Sequence, residues 1–333
     1  MAEWLYDAGI GENRAALIEG GRLLEMAIER DDEAGPRAGA ILPARLTRKA
    51  DASGRGLVTF EDGVVAQLTP VPPVLTEGTA LTVEVVREAL HEGTETKPPR
   101  VRLAPAGVEP GQGPNLRARL DASGLPVRRI DVGSDLLEEV GWSEAIEQAA
   151  SGIVAAPDVL LRIAVTPAMT LIDVDGAGAP GDVAISGARA AGEAIRRFGI
   201  TGSIGIDLPT LQVKADRQTA AAALDATLPQ PFERTAVNGF GFLQIVRRRM
   251  RASLIEQLQA DPVRAAAMAL LRAAERARGR GELRLHASPL VIARIAARPD
   301  WIDTLAKRAG TAIVLQPEDG LAISAAHASR RHP

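Results

Sequence analysis

Two acid-bearing stretches hold most of the chemistry available to this chain. Met169-Thr170-Leu171-Ile172-Asp173-Val174-Asp175-Gly176 is followed, after one intervening segment, by Ser203-Ile204-Gly205-Ile206-Asp207-Leu208. Each is an apolar, β-favouring run that delivers carboxylates at its end. A glycine-rich turn and an amphipathic segment, Val183 to Phe198, lie between them. The order predicts strand, loop, helix, strand. A unit of that kind is right-handed with parallel strands, so Asp173, Asp175 and Asp207 are expected at one edge of a sheet. Three carboxylates gathered there repel one another, and a hard divalent cation relieves the repulsion. Mg²⁺ in particular is held by one or two carboxylates while waters and phosphate oxygens complete its shell. The residues therefore point to Mg²⁺-assisted chemistry on a phosphate, with Mn²⁺ as the substitute ion.

Two other readings of the same residues stay open. Acidic residues at strand ends also serve as helix caps and turn formers, and Asp182 stands where a cap would. Gly176-Ala177-Gly178-Ala179-Pro180-Gly181 matches the G-x-G-x-x-G dinucleotide fingerprint, with Asp207 downstream. Against a dinucleotide, Asp173 and Asp175 immediately precede that loop and would repel a pyrophosphate unless a cation intervened.

The elements around this unit follow from periodicity and turn residues. Short strands are expected at Glu3 to Ile10, Arg14 to Ile18 and Leu23 to Ile28. Four more, Ala40 to Leu46, Gly56 to Phe60, Val64 to Leu68 and Ala80 to Val86, sit between turns rich in Gly, Pro, Asp and Ser. Strands at that spacing suggest a small five-stranded barrel of the oligonucleotide-binding kind. Phe60 is the only aromatic residue in it and the candidate for stacking on a base. Pro98, Pro99, Pro105, Pro110 and Pro114 then mark a linker or extended arm. A strand at Val127 to Ile130, a helix from Leu136 to Ala150 and a strand at Val159 to Val165 lead into the acidic unit. After it come a helix at Gln212 to Ala226, a strand at Arg234 to Ala236 and a basic helix following Gly239 to Ile245. The C-terminal part is expected as a helix at Val263 to Arg278, a strand at Glu282 to His286, a helix at Pro289 to Ala297, and strands at Ala312 to Leu315 and Leu321 to Ser324.

Composition narrows the class further. The 333 residues are 46% hydrophobic, enough for two or three cores. No charge-free apolar run is long enough for a membrane span, and the N-terminus is acidic and polar where a signal peptide would be basic and then apolar. A cytoplasmic protein is expected. Cysteine is absent, which excludes disulfides and thiolate zinc sites, and His91, His286, His327 and His332 show no ligand spacing and are expected at the surface. Net charge is only −3, yet Glu233 to Arg284 carries eleven arginines against five acids. Within it, Arg247, Arg248, Arg249 and Arg251 are candidates for phosphate contact, with a solvated helix face as the alternative.

Taken in order, the motifs from Ala168 to Leu254 resemble the catalytic core of the RNase E/RNase G family of bacterial endoribonucleases. Asp173-Val174-Asp175-Gly176 and Pro180-Gly181-Asp182 stand where that family has an Asp-Ile-Asn-Ser-Gly type motif and a Gly-Gly-Asp turn. Ile206-Asp207-Leu208 is similar to its Ile-Asp-Phe strand end, and Gly239-Phe240-Gly241-Phe242-Leu243-Gln244-Ile245 to its Arg-Phe-Gly-Leu-Leu-Glu-Met segment. The resemblance implies an α/β multidomain protein. Its parts are N-terminal strands of an RNase H-like unit (1–30), an S1/OB-type barrel (31–90), a Pro-rich arm with the rest of the RNase H-like unit (91–150), a DNase I-like catalytic core (151–254) and a small α/β C-terminal domain (255–333).

The resemblance also assigns roles. Asp173 and Asp207 correspond to the family's magnesium ligands, and Asp175 to an Asn that orients the phosphate or the attacking water. Asp at that position removes an amide donor and adds negative charge. The family's Cys-Pro-x-Cys zinc link has no counterpart, so zinc is not expected and any homodimer would do without it. Little of the 5′-sensor domain remains beyond the arm with Lys97-Pro98-Pro99-Arg100, and Val58, Thr59 and Ala66 stand about where the S1 stacking aromatics belong. The function implied is Mg²⁺-dependent endonucleolytic hydrolysis of single-stranded RNA, in processing or decay. The alternative is a catalytically weakened RNA-binding or ribosome-associated protein of the same fold.

Overall fold

The structure, a computed structural model, describes residues 1–33, 35–92 and 95–330. His332 lies outside the described residues. The chain opens on an antiparallel meander, β1 (Glu3–Ala8), β2 (Glu12–Glu19) and β3 (Arg22–Arg30). The β2–β3 turn is Gly20-Gly21, both at positive φ, the conformation that glycine adopts without a Cβ penalty. β4 (Ile41–Arg48), β5 (Gly56–Phe60), β6 (Val65–Leu68) and β7 (Ala80–Arg87) follow, then a two-stranded excursion, β8 (Leu90–Glu92) and β9 (Glu95–Lys97), and β10 (Arg100–Leu103).

β10 changes the reading of the Pro-rich arm. It pairs with β6 on one side and β7 on the other, closing the barrel in the order β10-β6-β5-β4-β7. The fifth strand is therefore supplied from inside the segment expected as a linker, where a four-residue strand after two prolines carries almost no alternation signal. Leu46, Val58, Ala66, Leu68, Val83, Val85 and Val101 fill the barrel interior.

After the barrel, α1 (Leu116–Asp121) leads to β11 (Val127–Arg129), which returns to pair in parallel with β1. Two parts of the N-terminal sheet are thus separated in sequence by the whole barrel. The helix expected from Leu136 to Ala150 is two: α2 (Leu136–Glu139) and α3 (Trp142–Ser151), parted by Gly141 in the left-handed conformation.

The acidic unit sits in a second, six-stranded sheet. Its elements are β12 (Ile153–Ala156), β13 (Val159–Val165), β14 (Thr170–Gly176), α4 (Pro180–Arg197), β15 (Gly202–Asp207), α5 (Lys214–Thr227), β16 (Glu233–Arg234) and β17 (Phe242–Arg247). The strand order is β12-β13-β14-β15-β17-β16, with β14 and β15 parallel as the β-α-β reading requires and the other pairs antiparallel. Strand alternation divides the sheet cleanly. Ile172, Val174, Ile204 and Ile206 point to one face and are buried in the core that also takes Val183, Ala184, Ala188, Ala191 and Ile195 of α4. Met26 and Ile28 of β3 belong to the same core, and α4 packs against β3, so this helix joins the two sheets. Gly192 lets α4 approach α5 closely, because a Cβ there would meet the Thr227 and Leu224 side chains. Among the described residues no helix covers the other face of the sheet, where Leu171, Asp173 and Asp175 are exposed.

Residues 248–252 form no helix. Arg247 ends β17, and an irregular segment leads into α6 (Leu254–Ala260), whose Ser253 and Glu256 form a reciprocal capping box. The C-terminal part comprises α7 (Pro262–Arg276), β18 (Leu283–Ala287), α8 (Pro289–Ala296), α9 (Pro299–Ala309), β19 (Ile313–Pro317) and β20 (His327–Arg330), with a single 3₁₀ turn at 323–325 where a strand was expected. Its three-stranded sheet, β19-β18-β20, packs on these helices around Leu285, Ile295 and Trp301. Buried charges tie this part to the N-terminus: Arg272 of α7 pairs with Glu12 of β2, and Arg14 pairs with Asp7 one strand away. Burial pulls the Arg14 guanidinium down to about 10, with Arg272 adding to the effect and Asp7 opposing it. No helix among the described residues is long and apolar enough to cross a membrane.

Candidate active site

Strand register brings the acidic residues together. Arg162 of β13 lies opposite Asp173 of β14, Asp173 opposite Asp207 of β15, and Asp207 opposite Phe242 of β17. Four neighbouring strands thus present a cation, two carboxylates and an aromatic ring in one row across the sheet. Neighbouring strands lie about 4.8 Å apart, so the two carboxylates stand within reach of a single cation. Asp175, two residues further along β14, points to the same side, and all three carboxylates are exposed on the helix-free face.

Arg162 was not singled out by the sequence reading. Its guanidinium pairs with Asp175 and comes within 3.6 Å of Asp173. Asp175 is therefore matched by an internal cation that also reaches Asp173, whereas Asp207 has no ion pair among the described residues. The expected signal for Arg162 was faint, since a lone arginine in an apolar strand gives no hint of which strand will lie beside it.

The floor of the row is shaped by two aromatic residues and two glycines. A Cβ on Gly205 would strike the Phe242 ring at 2.6 Å, so the absent side chain leaves the space that this ring occupies. The β17 entry turn is held by Asn238, whose Oδ1 accepts from the backbone N–H groups of Phe240 (2.9 Å) and Phe242 (3.0 Å). Gly241, at φ 92°, lets the same turn place its carbonyl where Leu208 N–H donates to it at 3.3 Å. This turn holds Phe240 outward, 81% exposed, beside the end of β15. Phe240 is thus an exposed aromatic side chain on the turn that meets the end of β15, just beyond Asp207.

The first turns of α4 and α5 meet behind this edge, with Gly181 of α4 directly against Asp216 of α5. Both helices start here, and their partial positive N-termini moderate the acidic edge. Asp182 is not the cap of α4: Ala179 holds that position and makes no side-chain cap, and Asp182 sits in the first turn. Pro180 opens α4 and so removes one of the amide donors that a pyrophosphate would need there, which weakens the dinucleotide reading of Gly176 to Gly181.

Asp173 and Asp207, on adjacent strands in register, are the residues that could hold a Mg²⁺ as two protein ligands, with water and phosphate completing its shell. Among the described residues no three acidic or histidine side chains cluster closely enough to form an all-protein cation cage. His91 contacts Thr96, while His286 lies in the C-terminal sheet between Glu318 (2.6 Å) and Ser329 (3.0 Å) and stacks on His327. None of these histidines belongs to the acidic row.

The arginines and Phe60 are placed elsewhere. Arg247 pairs with Gly202 at the start of β15, five residues along β17 from Phe242, roughly 17 Å from the acidic row at strand rise. Its Nη1 donates to the Ile200 carbonyl at 2.9 Å, Arg249 pairs with Glu256, and Arg251 approaches Glu88 at 3.6 Å. Arg248 is exposed. Phe60 is 7% exposed and packs inside the barrel, so its ring offers no open face to a base.

No protein-family model matches the chain, and no curated protein sequence matches it.

Proposed function

We propose that this chain is a cytoplasmic phosphodiesterase of the RNase E/RNase G type, cutting single-stranded RNA with Mg²⁺ at Asp173 and Asp207. In this reading the six-stranded sheet is the DNase I-like catalytic core, the closed barrel the S1/OB module, the β1 to β3 and β11 sheet an RNase H-like unit, and the C-terminal part a small accessory domain. The observation that carries it is the register row Arg162-Asp173-Asp207-Phe242. Mg²⁺ there would neutralise charge on the scissile phosphate and lower the pKa of an attacking water. Asp173 and Asp207 hold and orient the cation, Arg162 keeps Asp175 from repelling the phosphate, and Phe240 offers a face for a neighbouring base. The product would carry a 5′-phosphate. With no cysteine in the chain, any homodimer rests on protein surface rather than a shared zinc.

A second reading, an RNA-binding protein without catalysis, is favoured by one observation: Arg162 already engages Asp175 and approaches Asp173. End-labelled single-stranded RNA incubated with the purified chain, with and without Mg²⁺, separates the two. Internal cleavage dependent on Mg²⁺ supports the enzyme. RNA retained intact under both conditions supports the binding protein.

Arg162→Ala probes the balance of charge in the row. Both partners are about half exposed, so its loss changes stability by less than about 1 kcal/mol. Removing the cation leaves three carboxylates unmatched, and Mn²⁺ affinity, followed by the ion's paramagnetic resonance, should rise severalfold. Unchanged or weaker Mn²⁺ binding would place the ion away from this row.

A further inference from the structure

The residues beside the carboxylate row are of a different kind. One step along the same strands, register sets Ala164 of β13 opposite Leu171 of β14, Leu171 opposite Gly205 of β15, and Gly205 opposite Gln244 of β17. Strand alternation puts this second row on the same open face. It carries no charge and runs beside the first at a distance of two residues, roughly 6.7 Å.

Gly205 makes a seat in the row. A Cβ there would lie 2.6 Å from Phe242 Cζ and 3.0 Å from Leu171 Cδ2. The Phe242 ring therefore leans diagonally from the first row over the bare backbone of Gly205 and meets Leu171 coming from the other side. Together they form one apolar surface across β14, β15 and β17, at the foot of Asp173 and Asp207. Leu171 is 38% exposed, and Val246, one further step along β17, is 51% exposed.

The β17 end of the row is polar and oriented. Gln244 Nε2 donates to Ser203 Oγ at 3.0 Å, which fixes the plane of the amide. Gln244 Oε1 accepts no hydrogen bond from the described residues, and the second N–H of Nε2 is uncommitted. An acceptor and a donor side by side match the amino group and ring nitrogen of adenine. Phe242 and Gln244 stand where the resembled motif has leucine and glutamate. Leucine offers no ring face and a carboxylate no donor, so this combination belongs to this chain.

We propose that Phe242, Leu171 and Gln244 form the seat of one unpaired RNA base, adenine in preference, whose phosphate lies on the Asp173–Asp207 row. The proposal rests on reading that row as a phosphate site. The phosphate takes the cation, the base takes the ring face and the amide, and the spacing of the two rows suits the two ends of one nucleotide. A second copy of the chain docked symmetrically on this face would bring two carboxylate rows together, whereas a nucleotide brings the anion that a cation on the row requires.

Fluorescence anisotropy of the full chain with labelled oligoadenylate, and with an abasic oligomer of the same length, tests the seat by binding alone. Ca²⁺ serves as the oxygen-liganded cation. Both oligomers carry the same phosphates, so their difference reports the bases. Oligoadenylate is expected to bind about tenfold tighter, the worth of a stacked base, and Phe242→Leu, which keeps an apolar side chain, should abolish most of that difference. Oligoinosinate, the same purine with a carbonyl in place of the amino group, should bind about fivefold more weakly than oligoadenylate, and Gln244→Leu should level the two. Base preference in a protein that cuts no RNA in Mg²⁺ would remove the nuclease reading and keep the seat. Equal affinity of the wild type for oligoadenylate and the abasic oligomer, or for oligoadenylate and oligoinosinate, overturns the proposal. So does a Phe242→Leu protein that keeps the full difference, or a dimer of the wild type that Phe242→Leu dissociates, which would make the face an interface between copies.

Discussion

If the proposed chemistry holds, Asp173→Asn and Asp207→Asn should each lower Mg²⁺-dependent RNA cleavage by about a hundredfold or more, about 2.7 kcal/mol of transition-state stabilisation. Each change removes one anionic oxygen from a two-carboxylate site and leaves the backbone register untouched. Both side chains are exposed on the open face, so thermal unfolding should shift by no more than a degree or two. Asp175→Asn behaves differently. Its carboxylate is matched by Arg162, and an amide at that position can donate to a phosphate, so cleavage should be equal or faster. Initial rates across a Mg²⁺ titration check all three variants together. Wild-type rates in either single ligand variant would remove the carboxylate row from the chemistry, and a large loss in Asp175→Asn would make Asp175 a ligand in its own right.

Arg272→Ala should destabilise the fold by about 3 to 5 kcal/mol, the range for removing one partner of a buried ion pair. Glu12 and Arg272 are buried and paired across the junction between β2 and α7, and Arg30 Nε lies 3.9 Å from the same carboxylate. Truncating Arg272 strands the Glu12 charge in a site closed to water. Replacing both partners with apolar residues, Glu12→Leu with Arg272→Met, removes the charge along with its partner and should recover much of the loss. Urea unfolding of the two variants makes the comparison. If Arg272→Ala unfolds like the wild type, Arg30 alone suffices to hold Glu12, and the junction does not depend on α7 for its charge balance.

Local signals located most elements and the acidic strand ends. β14, α4 and β15 were legible because an apolar run, a turn and an amphipathic period each occupy one continuous stretch, and right-handed connection then forces Asp173 and Asp207 to one edge. β10 was hidden because a four-residue strand owes its conformation to β6 and β7 on either side, and not to its own pattern. The segment 248–252 carries helix-favouring arginines yet is irregular, since Arg249 is drawn to Glu256 and Arg251 toward Glu88. Phe60 was the sole aromatic residue of the barrel, which made it look like a stacking platform; the pleat turned it inward.

The amino-acid sequence by itself determined which carboxylates stand at the strand ends and which stretch of chain delivers them, because strand alternation and β-α-β handedness are local rules. Tertiary structure alone decided what stands beside them. Arg162 and Phe242 reach the row through lateral register between strands, and Arg247 is carried to the far end of β17, where it faces Glu25 and Ile200 instead of the carboxylates. Register and charge pairing are contacts between residues far apart in the chain. Their energies depend on which side chains share one face and exclude the same water, and that is settled only when the sheets close on their common core.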